Sequence, residues 1–268
     1  MGPADFDTYC ITAPSDPRLP GGGGYQVCGL ANIKPEQFGQ VQNVVKPTRD
    51  FGTDKRVNHF VSLGLNARLP GGARIGGGLD TGRSVRDQCF VVDAPGLTTY
   101  SDATGSYSQA AIGTGTTIDG QPLCHVVTPF KAQTQVKLNG SVPLPLGFVA
   151  SGVYQDMSGT AIEATYAATT AEIAPSLGRP LAGGTRTTTV LLVSPQTLYE
   201  GRTRRLDLRL TKIFQLTPLV RLQTNLDAYN ALNSSAVQSV QTTYGANWLQ
   251  PNQILDPRIL QVSVQLAF

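Results

Sequence analysis

Among the last eleven residues of the chain, 258–268, large apolar side chains occupy every second position from Leu260 onward. The apolar residues are Leu260, Val262, Val264, Leu266 and Phe268. A period of two places the two sets on opposite faces of a β-strand. A strand of this length with no charge after its first residue is typical of a tilted membrane-crossing strand, with lipid on one face and a polar lumen on the other. At the end of a soluble protein the same strand would be an aggregation hazard.

Three pairs of alternating segments precede this strand, and each pair is joined by a short connection that contains Pro. They extend over about 58–86, 134–154 and 205–230. Alternating segments with such connections predict antiparallel hairpins. The apolar residues keep the same phase throughout. The return strand of the second hairpin is an exception, because Val149 and Val153 make its polar face less polar and leave its orientation open.

The connections between the hairpins are long, at 87–131, 158–203 and 231–257. Bacterial outer-membrane barrels have short periplasmic turns and long extracellular loops, whereas compact soluble domains seldom contain several long loops. The predicted fold class is therefore all-β, an antiparallel up-and-down transmembrane β-barrel. Residues 58–268 are predicted to supply its strands, and residues 1–57 an extracellular loop region.

About seven membrane strands are predicted, and the first one descends from the outside. Single-chain bacterial barrels have an even number of strands and start from the periplasm. We therefore expect a partial barrel, the C-terminal part of a larger one. Extra strands are expected inside the loops, for example at 162–167 with 188–193.

The four cysteines are Cys10, Cys28, Cys89 and Cys124. An even count favours two disulfides, and proximity pairs the first with the second and the third with the fourth, each within a loop-like segment. Four unpaired buried thiols are the alternative. Disulfides would place the protein in an oxidising compartment such as the periplasm or the cell exterior.

Composition and motifs narrow the function classes. The net charge of +3 comes from scattered residues, with no basic run interleaved with aromatics, so we expect no nucleic-acid partner. No apolar run approaches the length of a transmembrane helix. His59 and His125 lack partner groups at the spacing of a metal site or catalytic triad. We therefore predict no catalytic residue, metal site or cofactor, and we do not expect an enzyme.

Charged side chains along the predicted strands are expected to face the lumen. A charge on the lipid face would cost about 2–4 kcal/mol at mid-depth. These residues either guide a polar or charged substrate, or form a hydrated wall that contacts a plug. The predicted lumen-facing residues are Arg68, Arg74, Asp80, Arg83, Lys137, Arg205, Asp207, Arg209, Arg221 and Asp227.

Several segments resemble TonB-dependent outer-membrane receptors, and above all the Oar-like subgroup, which carries an N-terminal carboxypeptidase-regulatory-like domain. The main ones are R-R-L-D-L-R-L-T-K-I-F at 204–214, V-R-L-Q-T-N-L-D-A-Y-N-A-L-N at 220–233 and the final strand ending on Phe268. The segments at 16–30, 66–78, 124–130 and 242–248 also look like that subgroup, so the resemblance covers nearly the whole chain.

The resemblance implies a transporter barrel in the bacterial outer membrane that takes up a scarce, unidentified substrate with energy delivered through TonB. The expected partners are outer-membrane lipid, the barrel-assembly machinery and the TonB complex. Phe268 resembles the assembly signal, and the TonB complex would be reached through an N-terminal part. The signal peptide, TonB box, plug and first barrel strands have no counterpart in this sequence.

Two other functions stay open at this point. One is an outer-membrane surface barrel that displays loops for adhesion without transport. The other is a secreted soluble β-domain that binds glycans through Tyr, Trp248 and Asn or Gln side chains.

Overall fold

The computed structural model of the chain describes residues 2–40, 46–93, 99–102, 105–108 and 116–268, and it is mostly antiparallel β-sheet. Among these residues no helix is long and apolar enough to cross a membrane. The strands are β1 Phe6–Thr12, β2 Gln26–Ile33, β3 Lys55–Arg68, β4 Arg74–Asp87, β5 Thr99–Asp102, β6 Gly105–Ser108, β7 Thr117–Ile118, β8 Gln121–Pro122, β9 His125–Thr128, β10 Gln135–Leu144, β11 Phe148–Met157, β12 Thr165–Thr169, β13 Thr187–Leu191, β14 Thr203–Gln215, β15 Arg221–Tyr229, β16 Val237–Val240, β17 Pro251–Ile254 and β18 Ile259–Ala267. The helices are α1 Phe130–Gln133 and α2 Thr170–Leu177. Short 3-10 turns lie at Pro3–Asp5, Pro20–Gly22, Pro35–Gln37, Thr48–Asp50, Pro70–Gly72, Cys89–Asp93, Pro145–Gly147 and Ala182–Gly184.

One large antiparallel sheet contains all the strands predicted from the alternation. Its order is β18-β15-β14-β11-β10-β4-β3, and β9 pairs with the far end of β4. Each strand therefore pairs with the next long strand of the chain, and the three predicted hairpins are confirmed. The outermost strands β3 and β18 do not pair with each other, so the sheet is open.

The register places the apolar side chains in continuous rows across the large sheet. One such row consists of Val142, Ala150, Leu210, Leu226 and Val262. These side chains are not covered by a second layer, since Val262 is 74% exposed and Leu63, on the same face, is 64% exposed. We call this surface the apolar face and the opposite surface the polar face.

The register also settles the orientation of β11, which the sequence left open. Phe148 pairs with Leu144, and Ala150 pairs with Val142, so both lie on the apolar face. Val149 and Val153 therefore lie on the polar face.

The hydrophobic core lies outside the large sheet, in segments predicted to be loops. It joins residues from β1, β2, β7, α2, β13 and the segment 241–249. We call this body, formed by 6–33, 116–123, 161–198 and 241–249, the cap. Its centre contains Ile173, Leu192 and Trp248, of which Trp248 is 2% exposed and donates its indole N–H to the Glu163 carbonyl at 2.8 Å.

Two elements of the cap show how much structure the long connections hold. Strands β12 and β13 pair, which confirms the extra strand pair with slightly shifted bounds. Helix α2 follows β12 directly, before β13, and was not predicted. Its N-terminus is fixed by a reciprocal capping box between Thr169 and Glu172, and it ends at Gly178 in the left-handed conformation.

Candidate functional site

A cavity of about 870 Å³ lies over the polar face of the large sheet. It is bordered by strands β3, β4, β10, β11, β14 and β15. Five of the predicted lumen-facing residues line it, namely Arg68, Arg74, Asp207, Arg209 and Asp227. The cavity therefore brings together half of the charged side chains that were predicted to face the lumen.

A single lateral row of side chains crosses this face, with one residue from each of the seven long strands of the sheet. The pairing runs in order through Arg68, Arg74, Ser141, Ser151, Arg209, Asp227 and Gln261. We call it the central row. All its members except Gln261 line the cavity, so the row concentrates three guanidinium groups and one carboxylate at one level of the sheet.

The carboxylates of the cavity are already neutralised. Arg209 donates to both oxygens of Asp227, from Nε at 2.5 Å and from Nη2 at 3.0 Å. The Asp227 side chain is almost fully buried beneath this pair. Asp207 accepts from Arg205 Nε at 2.9 Å and from the backbone N–H of Asn230 at 2.8 Å. Charge-assisted contacts of this kind hold both carboxylates in fixed positions.

A second polar contact line joins β14, β15 and β18 beside the central row. The Thr211 hydroxyl donates to Asn225 Oδ1 at 2.8 Å, and Asn225 Nδ2 donates to the Ser263 hydroxyl at 3.1 Å. Thr211 and Asn225 are buried, and each has its hydrogen-bond partner. A network of buried polar groups whose partners are present fixes this part of the polar face in one arrangement.

Arg68 and Arg74 differ from Arg209 because neither has a carboxylate partner among the residues that the structure describes. They face each other directly across β3 and β4, and both are exposed. Within the described part of the chain, no acidic group lies within 4.0 Å of either guanidinium. The cavity therefore carries an uncompensated positive charge at this end.

Gly76 forms the floor of the cavity between these arginines and the centre of β4. A Cβ atom at this position would lie 2.5 Å from Asn139 Oδ1 and 2.9 Å from Asn66 Oδ1. The two asparagine side chains from the neighbouring strands converge in the space that a side chain would fill. This close approach accounts for one glycine of the run that the sequence marked as unusual for a strand.

The remaining predicted lumen-facing residues lie on the polar face outside the cavity, with one exception. Asp80, Lys137, Arg205 and Arg221 pair with Ser62, Gly78, Gln155 and Gln215 on that face. The prediction for Arg83 is wrong. Arg83 pairs with His59 in a strand without a bulge, so it lies on the same face as Leu79 and Val61.

Sequence reasoning missed a lysine on the apolar face. Lys212 pairs with Phe148, its ammonium donates to the Leu146 carbonyl in the adjoining turn, and it lies 4.5 Å from the Phe148 ring centroid. A second ring, that of Phe214, lies 5.2 Å away. At the turn end of the sheet, the ammonium thus contacts one carbonyl group and two aromatic rings. These contacts stabilise the charge of the lysine without a carboxylate. Its parity in β14 is the signal that could have found it.

Both predicted disulfides are confirmed. Cys10–Cys28 joins β1 to β2, and Cys89–Cys124 joins the segment after β4 to the residue before β9. The first pair lies between strands rather than in a loop. Beside the second pair, His125 Nδ1 lies 3.1 Å from Asp87 Oδ2. Among the described residues, no group of three or more His, Cys, Asp or Glu side chains is placed to bind a metal.

A polar cluster ties the start of the cap to its end. Arg18 donates to the Asp16 carboxylate at 2.7 Å, and Tyr244 donates to the same carboxylate at 3.0 Å. The guanidinium of Arg18 holds the pKa of Asp16 well below its usual range and also lies 5.5 Å from the Trp248 ring. Burial raises the pKa of Tyr25, whose hydroxyl donates to the Leu192 carbonyl, to about 12. These contacts join distant segments of the cap into one packed body. Their polar groups bond to each other and do not form a binding site.

The C-terminal Phe268 lies just beyond β18 and is 96% exposed. Comparison with known proteins adds no further assignment, since the chain matches no protein-family profile, no curated protein and no solved structure.

Proposed function

We propose that this chain is the C-terminal barrel segment of a TonB-dependent, Oar-like receptor of the bacterial outer membrane, which takes up a substrate yet to be identified. The observation that carries the proposal is the division of one large sheet into an exposed apolar face and a polar face with a cavity. A soluble sheet packs its aliphatic face against a second layer. A membrane barrel exposes that face to lipid and keeps polar residues inside.

The open edges of the sheet support a partial barrel. Strands β3 and β18 each leave one side of their backbone without a partner strand in the described part of the chain. Unpaired backbone groups in a lipid bilayer cost several kcal/mol each, which is why membrane sheets close. Further strands between the two edges would close the sheet, as expected for a larger barrel.

The ends of the strands fit a consistent orientation. The short turns Pro70–Gly72 and Pro145–Gly147 lie at one end of the sheet, together with Lys212 and its aromatic neighbours. Aromatic and lysine side chains are typical of the boundary between lipid and water. We assign this end to the periplasm, and the opposite end, with the cap and both disulfides, to the cell exterior, where disulfides persist.

Two other functions remain as alternative proposals for this chain. An adhesion barrel without transport would have the same faces and cap, but its gene would encode no plug or TonB box. A secreted glycan-binding domain would be a detergent-free monomer, and the broad exposed apolar face argues against it.

The DNA immediately upstream of codon 1 tests the proposal. We expect an open reading frame that continues into further alternating segments, preceded by a plug domain and a TonB box. A frame with further strands but without a plug would favour the adhesion barrel. Recovery of this chain as a monomer from the soluble fraction of cells would contradict an outer-membrane location.

A further inference from the structure

The two arginines at the β3 end of the central row have no described partner of opposite charge. Every carboxylate of the cavity has one. Arg68 and Arg74 are direct cross-strand partners on one face. Side chains in such a pair have Cβ atoms about 5 Å apart, and like charges at this distance destabilise a sheet. The destabilisation disappears when an anion lies between the guanidinium groups.

The surroundings of the pair are suited to an oxyanion. Ser141 pairs with Arg74 in the central row, and Ser151 follows, so two hydroxyl groups continue the line of donors into the cavity. The atoms of Asn66 and Asn139 that converge over Gly76 are amide oxygens, which accept hydrogen bonds and are not counted among the donors. Guanidinium groups with hydroxyl neighbours form a usual donor set for carboxylate and phosphate.

The other charges of the cavity do not compete for this role. Arg209 is held by Asp227 in a bidentate pair, and Asp207 is held by Arg205. The cavity therefore has one position at which a bound anion would meet positive charge that no described side chain neutralises. Its volume of about 870 Å³ lies within the range of small-molecule sites.

We propose that Arg68 and Arg74 together bind an oxyanion, a carboxylate or a phosphate group, inside the polar cavity of the sheet. The anion either belongs to a soluble ligand or is an acidic side chain of a polypeptide segment that covers the cavity. If the anion belongs to a transported substrate, this role rests on the proposed function. Binding of the anion itself requires only the polar face.

The test is calorimetric titration of the full 268-residue chain in detergent micelles at constant ionic strength. One arm uses inorganic phosphate, and the other uses a blocked tetrapeptide with two aspartates. We expect saturable binding in at least one arm, and the tighter arm identifies the source of the anion. Arg68→Gln and Arg74→Gln should each weaken this binding at least tenfold.

Arg221→Gln is the matched control, because Arg221 lies on the same face outside the cavity and also has no described carboxylate partner. It should bind the anion as the unchanged protein does. Absence of binding in both arms, or equal weakening by Arg221→Gln, would overturn the inference. Neither result bears on which face of the sheet contacts lipid. The proposed function depends on that question, and labelling with lipid-phase reagents tests it separately.

A stability measurement separates binding from a structural role. Without phosphate at low salt, Arg74→Gln should unfold at the same or a higher urea concentration than the unchanged protein, because it removes a like-charge pair. Phosphate should then raise the midpoint of the unchanged protein but not that of the variant. A lower midpoint for Arg74→Gln without phosphate would mean that Arg74 only supports the fold.

Discussion

Arg209 and Asp227 form a bidentate ion pair across β14 and β15, and the carboxylate of the pair is almost fully buried while the guanidinium is half exposed. Arg209→Gln would leave a buried carboxylate without its charged partner. We expect a loss of about 2 kcal/mol in the free energy of unfolding, measured by urea titration, because partial exposure of the pair reduces the cost of a fully buried unpaired charge.

The double variant Arg209→Gln with Asp227→Asn should recover most of this loss, since no charge then remains buried. Arg221→Gln provides the control, because Arg221 forms no ion pair with a described residue. Equal stability of Arg209→Gln and Arg221→Gln would contradict the importance of the pair.

The large sheet was predictable from the sequence because its faces alternate with a period of two. Strand β18 and the three hairpins follow directly from that period, and so does the face of most charged residues. Arg83 was misplaced because its charge was given more weight than its position four residues after Leu79. The alternation itself placed it correctly.

The cap was not predictable in the same way. Its core joins segments more than a hundred residues apart, as in the 2.8 Å hydrogen bond from the Cys10 N–H to the Ser176 hydroxyl. Its strands are short, and no periodic pattern in one segment reveals which distant segment will cover it. The capping box of α2, with Thr169 three residues before Glu172, was a local signal that could have been found.

The central row also lay beyond sequence reasoning. Alternation assigns Arg68, Arg74 and Arg209 to one face, but only the register between strands shows that they share one lateral level. The register depends on how each turn and each long connection closes, and local patterns do not fix it.

The cap should lose stability in acid through Asp16. The pKa of this carboxyl is lower in the folded protein, chiefly because of its hydrogen bonds from Arg18. Its contribution is therefore complete above pH about 4, the ordinary carboxyl range, and is lost as the pH falls below that value. Fluorescence of Trp248, the only tryptophan, reports unfolding of the cap.

Asp16→Asn should flatten this dependence between pH 5 and pH 2. Asp5→Asn is a suitable comparison, since Asp5 lies in the first turn of the described chain outside the cap core. An equally steep acid transition in Asp16→Asn and the unchanged protein would exclude the Asp16 cluster as its source.

Removal of either disulfide should destabilise a different part of the molecule. Replacing both cysteines of Cys10–Cys28, which are 18 residues apart, should cost about 3 kcal/mol and shift the Trp248 fluorescence transition, since β1 and β2 belong to the cap core. Cys89–Cys124 closes 35 residues, and its loss should cost about 4 kcal/mol. The second disulfide lies beside the pairing of β9 with β4, and unfolding followed by circular dichroism should show its loss as a lower midpoint for the whole chain. Unchanged unfolding in both variants would contradict the expectation.

Neighbouring residues of β18 should tolerate an arginine very differently. Val262→Arg places a charge on the apolar face, and we expect a loss of about 2–4 kcal/mol when the protein is folded into lipid vesicles. Gln261→Arg places the same side chain on the polar face opposite Asp227 and should change stability little. If Val262→Arg instead improved solubility in plain buffer without loss of folding, the apolar face would not contact lipid.

Site-directed labelling in phospholipid vesicles shows directly which face of the large sheet contacts lipid. The native cysteines are all disulfide-bonded, so a single introduced cysteine reacts alone. Ser151→Cys and Ser263→Cys lie on the polar face, and Ala150→Cys and Val264→Cys, their chain neighbours, lie on the apolar face. We expect the first two to react with water-borne maleimides and the last two to react only with lipid-soluble reagents. Equal reaction of all four with water-borne reagents, or the reverse pattern, would contradict this expectation.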